Sequence, residues 1–167
     1  MIHSDIFAWL VKKSPHIQFY TYISDVFKNM PEEILKYDWL LSHYECNYYP
    51  EPLKFNKDVF IDGSCLSKII NTDDEPQFIW GILSSVKIGE RFDIRNNKIY
   101  SDGNIDIWKS KIKMQNANSE IEITCWDSTC FIFMTTKPEI SAKFKNLYSE
   151  AISLKYYSEN ISKREEI

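Results

Sequence analysis

Residues 77–88, with the sequence QFIWGILSSVKI, form a nearly continuous apolar run that constrains the fold more than any other feature. A strand with one face in water alternates apolar and polar residues, whereas a strand covered on both faces is apolar throughout. The run therefore predicts the central strand of a sheet that carries other segments on both faces. The preceding stretch NTDDEP, at 71–76, predicts a loop.

The segment IEITCWDSTCFIFM, at 121–134, predicts a β-hairpin. A two-residue loop at Asp127 and Ser128 pairs Trp126 with Thr129 and Cys125 with Cys130. The face expected in the core then carries Ile121, Ile123, Cys125, Cys130, Ile132 and Met134. The opposite face carries Glu122, Thr124, Trp126, Thr129, Phe131 and Phe133. This second face is polar on one strand and aromatic on the other, so it is either a surface or the floor beneath a helix.

Helical spacing of apolar residues predicts helices over 17–30, before Pro31, and over 138–151, where Pro138 suits the first position. Residues 62–70 predict a short helix with Ser64 as its N-cap. One or two helical turns are also expected in 5–13.

Three further segments complete the secondary-structure prediction. Residues 38–45 read as a strand, and 152–158 alternate like a final edge strand. The segment 105–114 fits either a strand or a helix, and Asn104 as a cap favours the helix. The sum is one α+β domain over 1–158, with a mostly antiparallel sheet of about five strands, three or four helices, and a polar tail at 159–167.

The chain has 167 residues and a net charge of −4. This balance argues against direct nucleic-acid binding, although 108–114, WKSKIKM, interleaves lysines with apolar residues. The start of the chain does not read as a signal peptide, and no apolar run is long enough to span a membrane. We therefore expect a cytoplasmic protein with no membrane partner, and a monomer or weak dimer.

The sequence predicts no catalytic, metal or cofactor site. A zinc site from His43, Cys46, Cys125 and Cys130 lacks the paired spacing of structural zinc sites, so buried thiols are the preferred interpretation. The Glu120/Glu122 pair and His43 are the residues that a small hydrolase or nuclease would use, and this remains the alternative. We expect no enzyme, because no nucleophile or phosphate-binding motif accompanies them.

Aromatic residues make up 15% of the chain, more than a core of this size requires. Tyr and Trp are favoured at the desolvated centres of protein interfaces, so the surplus favours a binding role. The aromatic residues that we consider for such a role are Tyr44, Tyr48, Tyr49, Trp108, Trp126 and Phe131. A regulatory protein-binding module is consistent with the same pattern.

Two stretches carry a family resemblance: DWLLSHYECN, at 38–47, with the turn and short helix that follow it, and the hairpin that leads into a helix at 120–151. With the apolar strand between them, their order resembles small bacterial immunity proteins that accompany polymorphic toxins, including contact-dependent growth inhibition systems. The resemblance implies a cytoplasmic, non-enzymatic protein. Its partner would be the C-terminal domain of a cognate toxin, often a nuclease, whose active or substrate-binding site it blocks.

The residues of a partner-binding site come from the chemistry of this chain, because the resemblance supplies none. A basic nuclease cleft attracts carboxylates near rigid aromatic anchors. The acidic loop Asp73, Asp74 and Glu75 offers the carboxylates, and Glu122 with Trp126 offers both on the hairpin. These five residues and Trp108 form the predicted partner-binding site.

Overall fold

The computed structural model describes residues 5–12, 14, 21–55, 57–109 and 111–165. The described residues form seven strands, and every pairing between them is antiparallel. The strands are β1 (Phe7–Val11), β2 (Asp38–Cys46), β3 (Val59–Asp62), β4 (Phe78–Val86), β5 (Ile121–Trp126), β6 (Cys130–Thr135) and β7 (Ile152–Ser153).

The described helices are four α-helices and two 3₁₀ helices. The α-helices are α1 (Ile23–Val26), α2 (Gly63–Ile70), α3 (Pro138–Leu147) and α4 (Leu154–Glu165), and the 3₁₀ helices span Pro31–Lys36 and Ile105–Trp108. No helix among the described residues combines the length and the apolar composition needed to cross a membrane. The helices and the sheet together give the chain an α+β fold, with seven described strands in place of the five or so that were predicted.

The sheet order is β3-β2-β4-β5-β6-β1-β7, which places β4 near the middle. Both faces of β4 are covered, as its continuous apolar sequence predicts, and most of its residues are buried. The strand predicted at 38–45 is also confirmed, as β2. The strand count was too low because the short strand β3 was not recognised and β1 was read as helix.

The front face of the sheet, which we define as the face that carries Leu41, Leu83, Ile123 and Phe133, holds the main core. Helices α1, α2 and α3 and the first 3₁₀ helix supply residues to this core. The Phe144 ring of α3 stacks on Phe133 with the centroids 4.2 Å apart. The helix that follows the hairpin thus covers Phe131 and Phe133, which is the second of the two outcomes expected for their face.

The predicted register of the hairpin is wrong by one residue. Trp126 pairs with Cys130, and Cys125 pairs with Phe131, so the loop has three residues instead of two. Positive φ angles at Asp127 and Ser128, of 48° and 54°, form this turn. Because side chains alternate along a strand, the shift moves Phe131 and Phe133 onto the front face and Cys130, Ile132 and Met134 onto the back face.

The back face carries two small apolar clusters with a polar patch between them. One cluster lies under α4 and the Ile105–Trp108 helix and includes Leu10, Ile132 and Leu154. The other is built on Leu40 and Ile82. The residues between the clusters are buried and polar: Ser42, Ser84, Glu122, Thr124, Ser101 and Asn116.

Five local predictions need correction. Residues 7–11 form β1, because they pair with β6 through the backbone, and the helical turn predicted there does not form. The N-cap of α2 is Asp62, whose side chain accepts from the Cys65 N–H at 2.7 Å, and Ser64 lies inside the helix. Among the described residues of 105–114, only Ile105–Trp108 is helical, and it is a 3₁₀ helix.

The fourth correction concerns the end of the chain. Only Ile152–Ser153 pairs as a strand in the segment 152–158, and α4 begins at Leu154 and extends into the residues predicted as a polar tail. The fifth correction concerns the helix predicted over 17–30. Among the described residues of this range only Ile23–Val26 is α-helical, and residues 17–20 lie outside the described part.

Candidate protein-binding site

The structure divides the six predicted site residues into three groups. Asp73 and Asp74 are exposed on the loop between α2 and β4. Glu75, next to them, is partly buried and accepts hydrogen bonds from the Ser24 N–H, at 2.9 Å, and from the Ser24 hydroxyl. Burial raises the pKa of Glu75, and the two hydrogen bonds oppose this shift in part. Glu75 therefore holds the first turn of α1.

Glu122 lies in the buried polar patch of the back face, and its prediction as a surface residue is wrong. Its carboxylate accepts from the N–H groups of Gln115, at 2.9 Å, and Asn116, at 3.0 Å, and from the Ser84 hydroxyl at 3.3 Å. Burial raises its pKa to about 7, although these hydrogen bonds favour the ionised form. Glu122 therefore fixes the 111–119 segment on the sheet.

Trp108 and Trp126 do lie together, in a row of half-buried aromatic rings that we call the tryptophan row. Trp126 is packed edge to face between Trp80 and Trp108, with both centroid separations equal to 5.0 Å. Tyr157 of α4 extends the row beyond Trp108, at 5.8 Å. Such offset and edge contacts add to the free energy of burial and hold the rings rigid.

Trp80, like Tyr157, is a member of the row that the sequence did not single out. Its neighbour in β4, Gly81, has φ 141°, and β2 shifts register opposite it, between Ser42 and Glu45. His43, in the shifted stretch, has φ 45°, and its N–H donates to the Asp58 carboxylate at 2.7 Å. This β-bulge turns β2 and places Glu45 opposite Trp80.

An open cleft of about 450 Å³ lies over the bulge, and we call it the bulge cleft. It is lined by His43, Tyr44, Glu45, Asp58, Trp80, Lys98, Tyr100 and Asp102. Three carboxylates face one lysine there, so the lining is net negative when His43 is neutral. Trp80 belongs both to this cleft and to the tryptophan row, which makes the two surfaces continuous.

The acidic loop lies at the same end of the sheet as the bulge cleft. Asn47, after β2, accepts from the Gln77 N–H at 2.9 Å, and Ser128 of the hairpin turn donates to the Ile79 carbonyl at 3.1 Å. The end of β2, the start of β4 and the hairpin turn are thereby held together. We use the name bulge end for this surface, which comprises the acidic loop, the bulge cleft and Trp126.

The bulge cleft could not be inferred from local sequence, because its residues come from four separate segments. Glu45 and Asp58 lie on either side of a loop, and Asp102 lies in a turn, for which the dipeptide Asp102-Gly103 is a sequence signal. Asp102 was therefore visible as a turn residue only. The register shift that brings Glu45 to Trp80 has no sequence marker except Gly81 in a predominantly apolar strand.

The residues proposed for zinc or for catalysis do not form a site in the described structure. Cys125 lies in the front core and Cys130 in the back cluster, so the two thiols lie on opposite faces of the sheet. Across the described residues, no group of three or more His, Cys, Asp or Glu side chains is placed to hold a metal ion.

The acid–base candidates are separated as well. Glu120 binds Tyr37 and Lys137, at 2.7 and 2.8 Å, while Glu122 binds the back-face segment. The His43 ring lies 6.2 Å from the Tyr100 ring, and in the described part of the chain no hydroxyl or thiol hydrogen-bonds to it.

Comparison with known proteins gives no match to a family model, to a curated protein or to a solved structure.

Proposed function

We propose that this protein is an immunity-type inhibitor, which binds the C-terminal domain of a cognate toxin and blocks its active or substrate-binding surface. The observation that carries the proposal is the continuity of the tryptophan row with the net-negative bulge cleft, through Trp80. Half-buried Trp rings that are already rigid lose little conformational freedom on binding, and such residues dominate binding energy in protein interfaces.

The charge of the bulge end favours a basic partner. Glu45, Asp58 and Asp102 are exposed in the cleft, and Asp73 and Asp74 are exposed on the neighbouring loop. A nuclease presents a positive surface to its substrate, and complementary charge would guide the inhibitor onto that surface and exclude the nucleic acid. The proposed mechanism is steric and electrostatic occlusion, with no chemical step.

The proposal is tested by growth rescue and by direct binding to the toxin domain encoded immediately upstream. The wild-type protein should restore growth and bind tightly. Trp126→Ala should weaken binding by roughly 30-fold or more, because it removes the centre of the tryptophan row. The matched control is Leu35→Ala, which truncates a side chain 56% exposed on the Pro31–Lys36 helix, and it should bind like wild type.

Because Trp126 also contacts its neighbours in the fold, a second variant separates binding from folding. Glu45→Lys reverses an exposed charge of the cleft and should slow association, with the effect reduced at high salt. If the wild-type protein neither restores growth nor binds the toxin domain, the proposal is overturned. Binding without rescue would replace it with the regulatory-module alternative.

The predicted acidic loop is tested separately. Asp73→Lys with Asp74→Lys leaves the Ser24 contact of Glu75 intact, so the fold should be retained. If the loop contacts the toxin, this double variant should lower affinity and growth rescue together. Unchanged affinity would confine the interface to the bulge cleft and the tryptophan row.

A further inference from the structure

Two half-buried aromatic rings, Trp80 and Tyr100, line the bulge cleft, and one already has a cation on its face. The Nζ of Lys98 lies 4.5 Å from the centroid of the Tyr100 ring. An ammonium over an aromatic face is attracted by the ring quadrupole. The cleft thus has a surface that favours cations, in addition to its carboxylates.

The carboxylates of the cleft have capacity for a further positive charge. One oxygen of Asp58 accepts from the His43 N–H. Glu45 and Asp102 make no ion pair or side-chain hydrogen bond within the described residues, and both are exposed at the rim. Counting Lys98 against the three carboxylates leaves an excess of two negative charges with His43 neutral.

We propose that the bulge cleft receives the guanidinium of an arginine side chain from the partner protein. This inference rests on the proposed function, since it names the group that the toxin would insert. A planar guanidinium can stack on Trp80 or Tyr100 and bind a carboxylate with two parallel hydrogen bonds at the same time. The cleft volume of about 450 Å³ leaves room for a side chain beside Lys98.

The test uses a probe that needs no toxin. N-acetyl-L-arginine amide is titrated into the full chain and followed by amide and indole NMR shifts, with N-acetyl-L-citrulline amide as the uncharged analogue of nearly the same shape. The arginine compound should cause saturable chemical-shift changes centred on Trp80, Gly81 and Tyr100, with a dissociation constant in the millimolar range. The citrulline compound should give none there. Equal shifts with both compounds, or shifts scattered outside the cleft, would overturn the inference.

Two matched double variants assign the effect to the cleft carboxylates. Glu45→Gln with Asp102→Asn should weaken arginine binding by roughly tenfold or more. Asp73→Asn with Asp74→Asn changes the net charge equally on the neighbouring loop and should have little effect. All four side chains are exposed, so dispersed NMR spectra are expected for both variants. Equal affinity in both double variants would contradict the site.

The same variants separate this inference from the proposed function. If the toxin domain binds and growth is rescued equally well by Glu45→Gln/Asp102→Asn, the function stands and the arginine contact fails. If the arginine compound binds as described but no toxin is neutralised, the cleft is a guanidinium site and the partner is not a toxin. Loss of toxin affinity confined to the cleft variant supports both.

Discussion

The carboxylate of Glu122 and the backbone N–H of Asn116 are joined by a hydrogen bond of 3.0 Å inside the back face. Glu122 is fully buried, so its ionisation places a charge away from water. The bonds from Asn116 and Gln115 offset part of that cost, and they also attach the 111–119 segment to β5. This one side chain therefore couples the cover of the back face to pH.

The first prediction follows from the direction of the pKa shift. The folded pKa of Glu122, about 7, lies above its ordinary value of 4.5. Below pH 4.5 both states hold the proton, whereas between pH 4.5 and 7 the unfolded chain releases it first. The contribution of Glu122 to stability should therefore fall as pH rises through this window, by up to about 3 kcal/mol. Urea unfolding at a series of pH values measures this change. The free energy of unfolding of the wild type, relative to that of Glu122→Gln, should fall through this window and stay constant above about pH 8.

Glu120 supplies the control with the opposite sign. Burial opposes its ionisation, but Lys137 and Tyr37 outweigh burial and hold its pKa below 4.5. The free energy of unfolding of the wild type, relative to that of Glu120→Gln, should therefore stay constant above about pH 5. Below that pH it should decrease, because the wild type loses the stabilisation from its ionised carboxylate. If the difference in unfolding free energy between wild type and Glu122→Gln does not change between pH 4.5 and 7, burial does not raise the pKa of Glu122 as described.

The second prediction concerns Phe144, which stacks on Phe133 and lies edge to face with Phe131. Truncation by Phe144→Ala leaves a cavity between α3 and the hairpin, and we expect a loss of roughly 3–5 kcal/mol in unfolding free energy. The matched control is Phe55→Ala, whose ring is 65% exposed and which should change stability by less than about 1 kcal/mol. Chemical unfolding measures both. Equal losses would show that α3 does not cover the hairpin as described.

The hairpin also shows where sequence reasoning reaches its limit. Its existence and the helix after it follow from the apolar–polar alternation in IEITC, from the apolar run FIFM and from Pro138. The register depends on whether Thr129 belongs to the turn or to β6, and two residues with positive φ decide this through the backbone. A one-residue shift exchanges the faces, so Phe131 and Phe133, which were predicted on the face opposite the core residues, lie in the front core.

The site was predictable to a similar extent. Trp108 and Trp126 were identified from composition, and the structure brings them together, while the acidic loop is exposed at Asp73 and Asp74 as expected. Glu122 was misplaced, because strand alternation cannot tell a solvated face from one covered by a long irregular segment. Trp80, Glu45 and Asp102 meet only through a bulge and a distant loop, and such long-range contacts leave no periodic pattern in the sequence.

The third prediction uses the four free cysteines. Cys46, Cys125 and Cys130 are buried, whereas Cys65, on α2, is partly exposed. Burial raises the pKa of all four thiols, and it raises that of Cys46 to about 12. Iodoacetamide at pH 8.5 should therefore modify the native protein slowly and at Cys65 first.

Intact-mass spectrometry and peptide mapping measure this selectivity. Cys65→Ser should leave the native protein almost unmodified over the same period, while unfolding in urea should expose every remaining thiol. Rapid modification of Cys125 in the native protein would contradict its place in the front core, because that side chain has no exposed surface.

The fourth prediction concerns Gly81, which forms the β4 side of the bulge. Its φ of 141° is a conformation that residues with a side chain rarely adopt, and an added Cβ would lie 2.9 Å from the Cβ of Tyr44 and 3.0 Å from its Cα. Gly81→Ala combines backbone strain with overpacking, so we expect a loss of roughly 2–5 kcal/mol in unfolding free energy. Denaturant titration followed by tryptophan fluorescence measures this loss of stability.

Gly89 separates the two contributions to that loss. Its φ is 79°, and an added Cβ would have no neighbour within 4 Å, so Gly89→Ala carries the backbone cost without the steric one and should lose about 1–2 kcal/mol. Tyr44 lines the bulge cleft and its hydroxyl donates to the Lys54 carbonyl at 2.7 Å, so displacing it by Gly81→Ala should also lower arginine binding to the cleft. Equal stability of the two alanine variants would mean that Tyr44 yields without cost and that the bulge does not fix the cleft wall.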